Sequence, residues 1–326
     1  MNRLKGLILT VSIAVIATIL GTWLPIIGSA IFAIVIGMII GNIWRVPDTF
    51  QSGIKFSSKK VLHYSIIVLG FTLSFQSIGS VGWKSLPIIF ITLIVAFLIV
   101  YLLLKLLHID ENIGILIGVG TSICGGSAIA ATSPVIRAKE SEVAFSISTV
   151  FLFNLIAVFI FPPMGHLFHM SQTAFGYFSG TAINDTSSVI AASSIYGHQA
   201  LQTGAIVKLP RALMIIPVVL FFAVRTMNKM KSKDANVSIV KIFPWFIVGF
   251  ILASLISTVF NFSPAVIHVF QKISLFFISI AMAGIGLGVN FKQFKEAGFK
   301  PILLGLITWF VVIVSSLVTM WFTHLW

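Results

Sequence analysis

The amino-acid sequence predicts an all-α fold, a polytopic membrane helix bundle of about 9 to 11 segments. Of its 326 residues 58% are hydrophobic and 9% charged, whereas soluble domains carry about 25% charged residues. The mean hydropathy is +1.10, and apolar runs long enough to cross a bilayer recur along the chain with short polar connections. Two runs carry small and polar residues at their centre, which predicts two discontinuous or re-entrant helices. We therefore expect a single transmembrane domain over residues 1–326.

The apolar runs are divided by Gly, Pro and charged residues into the individual segments. In chain order they are A at 6–22, B at 25–44, C at 61–78, D at 86–107, E at 112–136, F at 141–162, G at 173–196, H at 203–227, I at 242–260, J at 272–290 and K at 301–324. Segment A follows Arg3 and Lys5 as a signal peptide would, but no small-residue cleavage pattern follows it. We therefore expect segment A to be a retained helix.

Charge orients these segments, because short cytoplasmic loops concentrate Lys and Arg. Three basic loops are expected to be cytoplasmic: Arg45, Lys55, Lys59 and Lys60 after B, Arg225, Lys229, Lys231 and Lys233 after H, and Lys292, Lys295 and Lys300 after J. If every segment spans, the loop after E, with Arg137 and Lys139, falls outside and violates the rule. If E and G each enter and leave on one side, every loop obeys it. Charge thus favours re-entrant hairpins, while both topologies stay open.

Segments E and G resemble each other at their centres. Residues 120–131 read GTSICGGSAIAA and residues 180–192 read GTAINDTSSVIAA. Each patch leaves arms of about 11 residues, or about 16 Å of helix, which reach the middle of a membrane. A second similarity links C and D to J and K, and the charge-based topology gives these two pairs opposite orientations. Inverted-repeat character together with interrupted helices indicates a secondary transporter.

The residues at the two interruptions suit a binding site, because a helix broken in lipid leaves backbone groups that protein, water or a ligand must satisfy. Glycines permit close backbone approach, and hydroxyls bind ions or backbone. The alternative is that these small residues only let helices pack closely. The predicted substrate-binding residues are Thr121, Ser122, Gly125, Gly126, Ser127, Asn184, Thr186, Ser187, Lys208 and Arg211.

Asp185 is the carboxylate placed deepest in an apolar segment, and it is the predicted ion-coupling residue for Na⁺ or a proton. The alternative is a structural counter-ion to Lys208 or Arg211, the cations within segment H. These two cations are three residues apart on one helical face and could instead meet an anion, since Arg offers paired donors to oxyanions. Asn154 either joins this site or forms an interhelical hydrogen bond.

Several classes of function are disfavoured. The formal net charge of +13 is spread over short loops, so no nucleic-acid partner is expected. Cys124 is the single cysteine, and the seven histidines lie mostly at segment ends without metal-ligand spacing, so no metal is expected. No Walker motif, dinucleotide fingerprint or Ser-His-Asp spacing is visible. We therefore expect no cofactor, no enzymatic activity and no ATP-driven transport by this chain.

The two central motifs, with IGMIIGN at 36–42, resemble those of the YeiH-type bacterial membrane proteins, a family described by a proposed sulfate-export activity. That family is similar in plan to the cation/proton antiporter and bile-acid symporter superfamily, whose discontinuous helices meet at an ion site and generally cross the membrane. The resemblance implies a secondary carrier that uses the positions from Cys124 to Ser127 and from Asn184 to Ser187.

The expected function is secondary active transport of a small anion, of the sulfate, sulfite or sulfonate class, coupled to a proton or Na⁺ gradient. The main alternative is a cation/proton antiporter, in which Asp185 binds the cation and Lys208 or Arg211 balances its charge. A channel and a membrane enzyme are further alternatives. We expect a multi-pass protein of the inner or plasma membrane, surrounded by the lipid bilayer. Its oligomeric state stays open, a homodimer included.

Overall fold

The computed structural model describes residues 2–24, 28–44, 46–230, 243–289 and 299–326, and the regular elements in these ranges are helices. They are α1 (Asn2–Trp23), α2 (Gly28–Ile43), α3 (Asp48–Phe56), α4 (Leu62–Gly70), α5 (Phe75–Leu107), α6 (Glu111–Ser122), α7 (Gly126–Thr132), α8 (Glu140–Leu167), α9 (Gln172–Ala182), α10 (Thr186–Tyr196), α11 (His198–Leu213), α12 (Ile215–Met230), α13 (Phe246–Phe260), α14 (Pro264–Gly288) and α15 (Phe299–Phe322), with a π-helical turn at Ser57–Val61.

Within the described ranges, six helical stretches are long and apolar enough to cross a membrane, and α2 and α13 are shorter apolar helices. The prediction of an all-α polytopic membrane bundle is therefore confirmed. Several residues of the predicted basic loops lie outside the described residues: Arg45, Lys231, Lys233, Lys292 and Lys295.

The helices form two compact units, each built from three stretches of the chain. The first comprises Met1–Ser80, Ile190–Gln202 and Trp245–Phe291, and the second comprises Val81–Val189, Thr203–Pro244 and Lys292–Trp326. Because both units interleave along the chain, neither is a contiguous domain. The single transmembrane domain over 1–326 stays a prediction.

In the first unit, α2 and α14 cross at very short distance. A Cβ atom on Gly37 would lie 2.6 Å from the Ala283 carbonyl oxygen, so only glycine permits this approach. The Asn42 side-chain amide donates to the carbonyls of Met38 (2.9 Å) and Val289 (3.0 Å). Glycine thus allows these two helices to pack closely, and the hydrogen bond from Asn42 to Val289 links them. Larger side chains at the crossing would hold the helices apart.

Segment C was predicted as one run over 61–78, but α4 ends at Gly70 and α5 begins at Phe75. The interruption is stable because side chains distant in sequence satisfy the carbonyls that the helix leaves open. The donors are Ser257 to the carbonyl of Phe71 (2.7 Å), Gln202 to that of Thr72 (3.1 Å) and Ser254 to that of Leu73 (3.0 Å). Segment D consequently begins at Phe75 instead of 86, and its helix contains Pro87.

In the second unit, α15 packs against α6, α8 and α9. The Trp309 indole of α15 stacks on Phe161 of α8, with ring centroids 5.7 Å apart and an interplanar angle of 2°. Gly305, a turn earlier, leaves room for Thr149 and Phe153 of α8. This packing places the first arms of both interrupted segments, α6 and α9, against α15.

Candidate functional site

The first interruption lies between α6 and α7, at residues 123–125. Asp110 caps the start of α6, where its carboxylate accepts a hydrogen bond from the Asn112 N–H (2.9 Å). The helix ends at Ser122, and Gly125 then adopts φ 66° and ψ −133°. This backbone conformation is open to glycine and strained for other residues, so Gly125 is where the chain can turn.

The chain reverses direction at this turn. Ile129 of α7 packs in one buried cluster with Leu116 of α6 and Val150 of α8, and its side chain lies beside Gly120. In a continuous helix, Leu116 and Ile129 would lie about 20 Å apart along the axis. α6 and α7 therefore form a helical hairpin.

Both arms of this hairpin begin or end near the start of α8. Glu142 Oε2 accepts hydrogen bonds from Asn112 Nδ2 (3.1 Å) and from the Lys139 N–H (2.8 Å), so the first turns of α6 and α8 adjoin. The chain thus enters and leaves on one side. This is the re-entrant topology that Arg137 and Lys139 favour, and it corrects the spanning helix that the family resemblance implies.

The second interruption lies between α9 and α10, at residues 183–185. The Ser171 hydroxyl caps the start of α9 by accepting a hydrogen bond from the Ala174 N–H (3.1 Å). Asp185 caps the start of α10: its Oδ2 accepts from the N–H groups of Ser187 (3.0 Å) and Ser188 (3.3 Å) and from the Ser187 hydroxyl. The predicted coupling residue is therefore also a helix cap.

This second interruption is reached from the opposite side. α8 has 28 residues, about 42 Å of helix, so α9 starts far from Glu142. Gly197 alone separates α10 from α11, and about ten residues into α11, or about 15 Å, Lys208 contacts the Asn184 carbonyl. α11 continues into α12, where Arg225 pairs with Glu111 at the start of α6. α9 and α10 therefore enter and leave on the side away from Glu111.

Lys208 joins the two interruptions. Its Nζ donates to the carbonyls of Ile123 (2.9 Å), Ile183 (2.9 Å) and Asn184 (2.5 Å), and its side chain is fully buried. An ammonium group has three donors. All three are directed at the backbone of the interruptions, one at the first and two at the second.

Arg211, one turn later and equally buried, covers the helix ends that precede the interruptions. At α6 its Nε donates to the Ser122 carbonyl (2.9 Å) and its second terminal nitrogen to the Thr121 carbonyl (2.8 Å). At the end of α9 its first terminal nitrogen donates to the carbonyls of Gly180 (3.5 Å), Thr181 and Ile183 (3.2 Å).

These contacts satisfy the carbonyls that α6 and α9 leave open at their C-terminal ends. Trp309 completes the set, because its Nε1 donates to the Ala182 carbonyl (3.2 Å). A cation also has a favourable interaction with the negative end of a helix dipole. Lys208 and Arg211 lie at two such ends, so the direct hydrogen bonds that compensate their burial come from the backbone.

The two interruptions adjoin at Asn154 of α8. Its Oδ1 accepts hydrogen bonds from the N–H groups of Asn184 (3.2 Å) and Asp185 (3.3 Å). A Cβ atom on Gly125 would lie 3.2 Å from the Asp185 Cβ. Asp185 makes no ion pair within 4 Å with either Lys208 or Arg211, so the counter-ion alternative is not realised as a direct contact.

Exposure separates the predicted site residues into two groups. Gly126, Asp185 and Thr186 are partly exposed and Ser127 is exposed. The other members are buried: Thr121, Ser122, Gly125, Asn184, Ser187, Lys208 and Arg211. The Asn184 side chain is 1% exposed, and neither its Nδ2 nor its Oδ1 has a hydrogen-bond partner in the described part of the chain.

The structure thus brings every predicted site residue to the two interruptions and adds three kinds of partner. The sequence left two roles open for Asn154, membership of the site or an interhelical hydrogen bond. A polar side chain in the apolar segment between the two patches is the signal that could have indicated the first role. Trp309 carried no signal, because an indole within an apolar helix is typical of packing. The carbonyls bound by Lys208 and Arg211 were also missed, since every residue type carries one.

Comparison with known proteins finds membrane proteins that are similar to this chain over almost its whole length. Residues 5–305 match the family described as conserved hypothetical protein 698. A UPF0324 membrane protein of Fusobacterium nucleatum is 46% identical over 336 residues, 97% of each chain. One of Streptococcus agalactiae is 44% identical over 323 residues, 97% of this chain and 96% of the relative. One of Streptococcus pneumoniae is 41% identical over 319 residues, 96% and 95%. No solved structure matches the chain.

Proposed function

Because the chain belongs to the UPF0324 membrane protein family, that of the YeiH-type proteins and of conserved hypothetical protein 698, we propose that it is a secondary active transporter. The proposed cargo is a small anion of the sulfate, sulfite or sulfonate class, and the proposed driving force is a proton or Na⁺ gradient. We assign it to the inner or plasma membrane and propose no enzymatic activity.

The observation that carries this proposal is the meeting of two re-entrant hairpins that enter from opposite sides. Their interruptions adjoin at Gly125 and Asp185, about halfway along α8, and polar groups there are partly exposed. Unwound backbone at membrane depth is tolerated where protein buries it or where it lines a cavity. Two half-depth hairpins from opposite sides support a site reached from either face in turn, as alternating access requires.

Asp185 is the proposed coupling residue. The hydrogen bonds to α10 engage its Oδ2, which leaves Oδ1 for a proton or Na⁺, and the residue is partly exposed. Asn184 beside it buries an amide with no partner among the described residues. A buried amide without hydrogen bonds costs about 1–3 kcal/mol, so an ion or water between these side chains would stabilise them. The pair supports an ion site at the second interruption.

For Lys208 and Arg211 we propose a part that differs from the direct contact predicted from the sequence. Their donors are directed at backbone carbonyls, so an anion would have to compete with existing hydrogen bonds. Two buried cations with no carboxylate within 4 Å in the described ranges still create a positive potential nearby. We propose that they attract the anion through this potential, while Gly126, Ser127 and Thr186 supply the accessible surface.

A cation/proton antiporter is the second candidate. The same occupied donors favour it, because they leave Asp185 and the Asn184 amide as the groups that can bind cargo directly. Carboxylate and amide oxygens suit a hard cation. In this alternative Lys208 balances the Asp185 charge when the cation is absent.

The test is flux of labelled sulfate, sulfite and Na⁺ into proteoliposomes under imposed proton or Na⁺ gradients, with Asp185→Asn as the variant. Asn caps helices about as well as Asp, so the variant should fold. We expect gradient-driven anion flux in the native chain and loss of the gradient dependence in the variant. The matched control is Asp110→Asn, which changes the cap of α6 and should transport normally.

Na⁺ or proton exchange without anion flux would select the antiporter. Flux that ignores every imposed gradient would indicate a channel and reject both carriers. Unchanged coupling in Asp185→Asn would assign Asp185 to helix capping alone.

A further inference from the structure

Apart from the interruptions, the second unit contains a groove between α5 and α12 with a volume of about 770 Å³. Its walls are mainly apolar and aromatic, with Phe90, Phe97, Val218, Phe221 and Phe222 among them. One end is polar and is formed by Tyr101, Lys105, Glu111 and Arg225. The groove is thus amphipathic along its length.

The length of the groove corresponds to one leaflet of a bilayer. From Phe90 to Lys105 the wall follows about 15 residues of α5, or about 22 Å of helix. Half of a bilayer, headgroups included, is about 20–22 Å thick. The apolar wall therefore lies at the depth of acyl chains when Lys105 lies at the depth of headgroups.

Local contacts hold two cations at the polar end. Lys105 Nζ lies 4.5 Å from the centroid of the Tyr101 ring, a cation–π arrangement. Arg225 donates to Glu111 Oε1 at 2.5 Å, and both side chains are almost half exposed. Among the described residues at this end, Glu111 offsets one of two positive charges, and it engages one of the five N–H donors of Arg225.

The polar end faces the cytoplasm by the positive-inside rule, because Arg225 lies in the second half of α12, where the basic stretch that ends with Lys233 begins. Anionic lipids are enriched in that leaflet, and basic pockets between transmembrane helices bind their headgroups. A flat lipid-facing surface would show no cavity beside its cations. Length, polarity and side all indicate the same occupant.

We propose that this groove binds one anionic phospholipid of the cytoplasmic leaflet. An acyl chain lies along the aromatic wall, and the phosphate lies between Lys105 and Arg225. Glu111 and Ile115, which also line the groove, belong to α6. The lipid therefore contacts the first re-entrant hairpin and stabilises the start of α6. This proposal does not depend on what the protein transports.

The experiment is thermal unfolding of the detergent-purified full chain, titrated with phosphatidylglycerol or with phosphatidylcholine of the same acyl chains. We expect a saturable rise in Tm with phosphatidylglycerol and a much smaller rise with phosphatidylcholine. Replacing both cations, Lys105→Gln with Arg225→Gln, should raise the half-saturating concentration about 30-fold. Each single variant should raise it about 5-fold, which keeps the test valid if the double variant fails to fold.

Four further arms locate the lipid. Glu111→Gln removes the ion pair but keeps both cations, so it should retain the response, and Lys84→Gln near the other end of α5 should also retain it. Val218→Phe fills the apolar wall without changing charge and should weaken the response. Glycerol phosphate alone should give no rise in Tm. Equal responses to both lipids, an unchanged double variant, or an equal response to glycerol phosphate would each overturn the proposal.

Discussion

The two re-entrant hairpins end their first arms in the same way and begin their second arms differently. α6 and α9 both finish on carbonyls that Lys208 and Arg211 bind. Beyond the interruption, α10 is capped by the Asp185 carboxylate, whereas α7 follows Gly125 with no side-chain cap. The common half is held by two basic side chains that both hairpins share. The differing half is held by a titratable group in one hairpin and by backbone geometry in the other.

This difference assigns separate tasks to the two hairpins. The second interruption contains the titratable carboxylate of Asp185, while the first has no ionisable side chain of its own except Cys124. The first interruption depends instead on the conformation of Gly125. Substitutions can therefore disturb the cations that both hairpins share, the backbone turn at Gly125, or a contact of one hairpin alone. We expect the loss of stability to decrease in this order.

The largest effect is expected for Arg211→Ala, which removes the donors to carbonyls of both hairpins. Buried carbonyls left without partners in an apolar surrounding each cost on the order of 1–3 kcal/mol, so we expect a loss of at least about 3 kcal/mol. Thermal unfolding followed by size-exclusion recovery measures this loss. Arg211→Lys supplies three donors in place of five and should recover part of the stability.

If Arg211→Lys were as stable and as active as the native chain, the paired geometry of the guanidinium would be irrelevant. A loss in Arg211→Ala no larger than that of an exposed substitution such as Arg137→Ala would show that the two hairpins do not share a support.

An intermediate effect is expected for Gly125→Ala. The methyl group would lie 3.2 Å from the Asp185 Cβ, on a backbone with φ 66°, and such strain costs about 1–3 kcal/mol. Gly126→Ala is the matched control, because a Cβ there meets no atom within 4 Å. We expect its Tm to stay within the range of surface substitutions. Equal Tm values for both variants would show that the first interruption does not depend on the backbone conformation of Gly125.

The smallest effect is expected for Trp309→Phe, which removes the donor to the Ala182 carbonyl of the second hairpin alone. A phenyl ring keeps most of the stacking on Phe161, so the loss should be about 1 kcal/mol. Trp321→Phe, at an exposed position of the same helix, is the control. A loss as large as that of Arg211→Ala would mean that Trp309 supports the whole unit and not one helix end.

The sequence predicted both interruptions because glycine and hydroxyl residues clustered within an apolar run are typical of a break in a membrane helix. The centres at 120–131 and 180–192 contain both observed turns. Arg137 and Lys139 favoured re-entrance and left the spanning topology open, since charge reports on the side of a loop independently of helix length. The helix end at Gly70 was not predicted, because the donors that stabilise it are distant in sequence.

The sequence indicated which polar residues lie at the interruptions but not the contacts that they make, and their role as a binding site stays a prediction. Asp185, Lys208 and Arg211 stand out because ionisable side chains are rare in apolar segments. The sequence could not show that Lys208 and Arg211 bind backbone carbonyls. Every residue has a carbonyl, and which of them lack a partner depends on where a helix ends. The direct binding of an anion by these cations stays a prediction.

The single ammonium group of Lys208 also has a mechanical consequence. It holds Ile123 at the tip of one hairpin and Ile183 and Asn184 at the tip of the other. Neither tip can shift by itself without breaking bonds that serve both. The two hairpin tips therefore cannot move independently of each other. Any conformational change that displaces one tip must also displace the other.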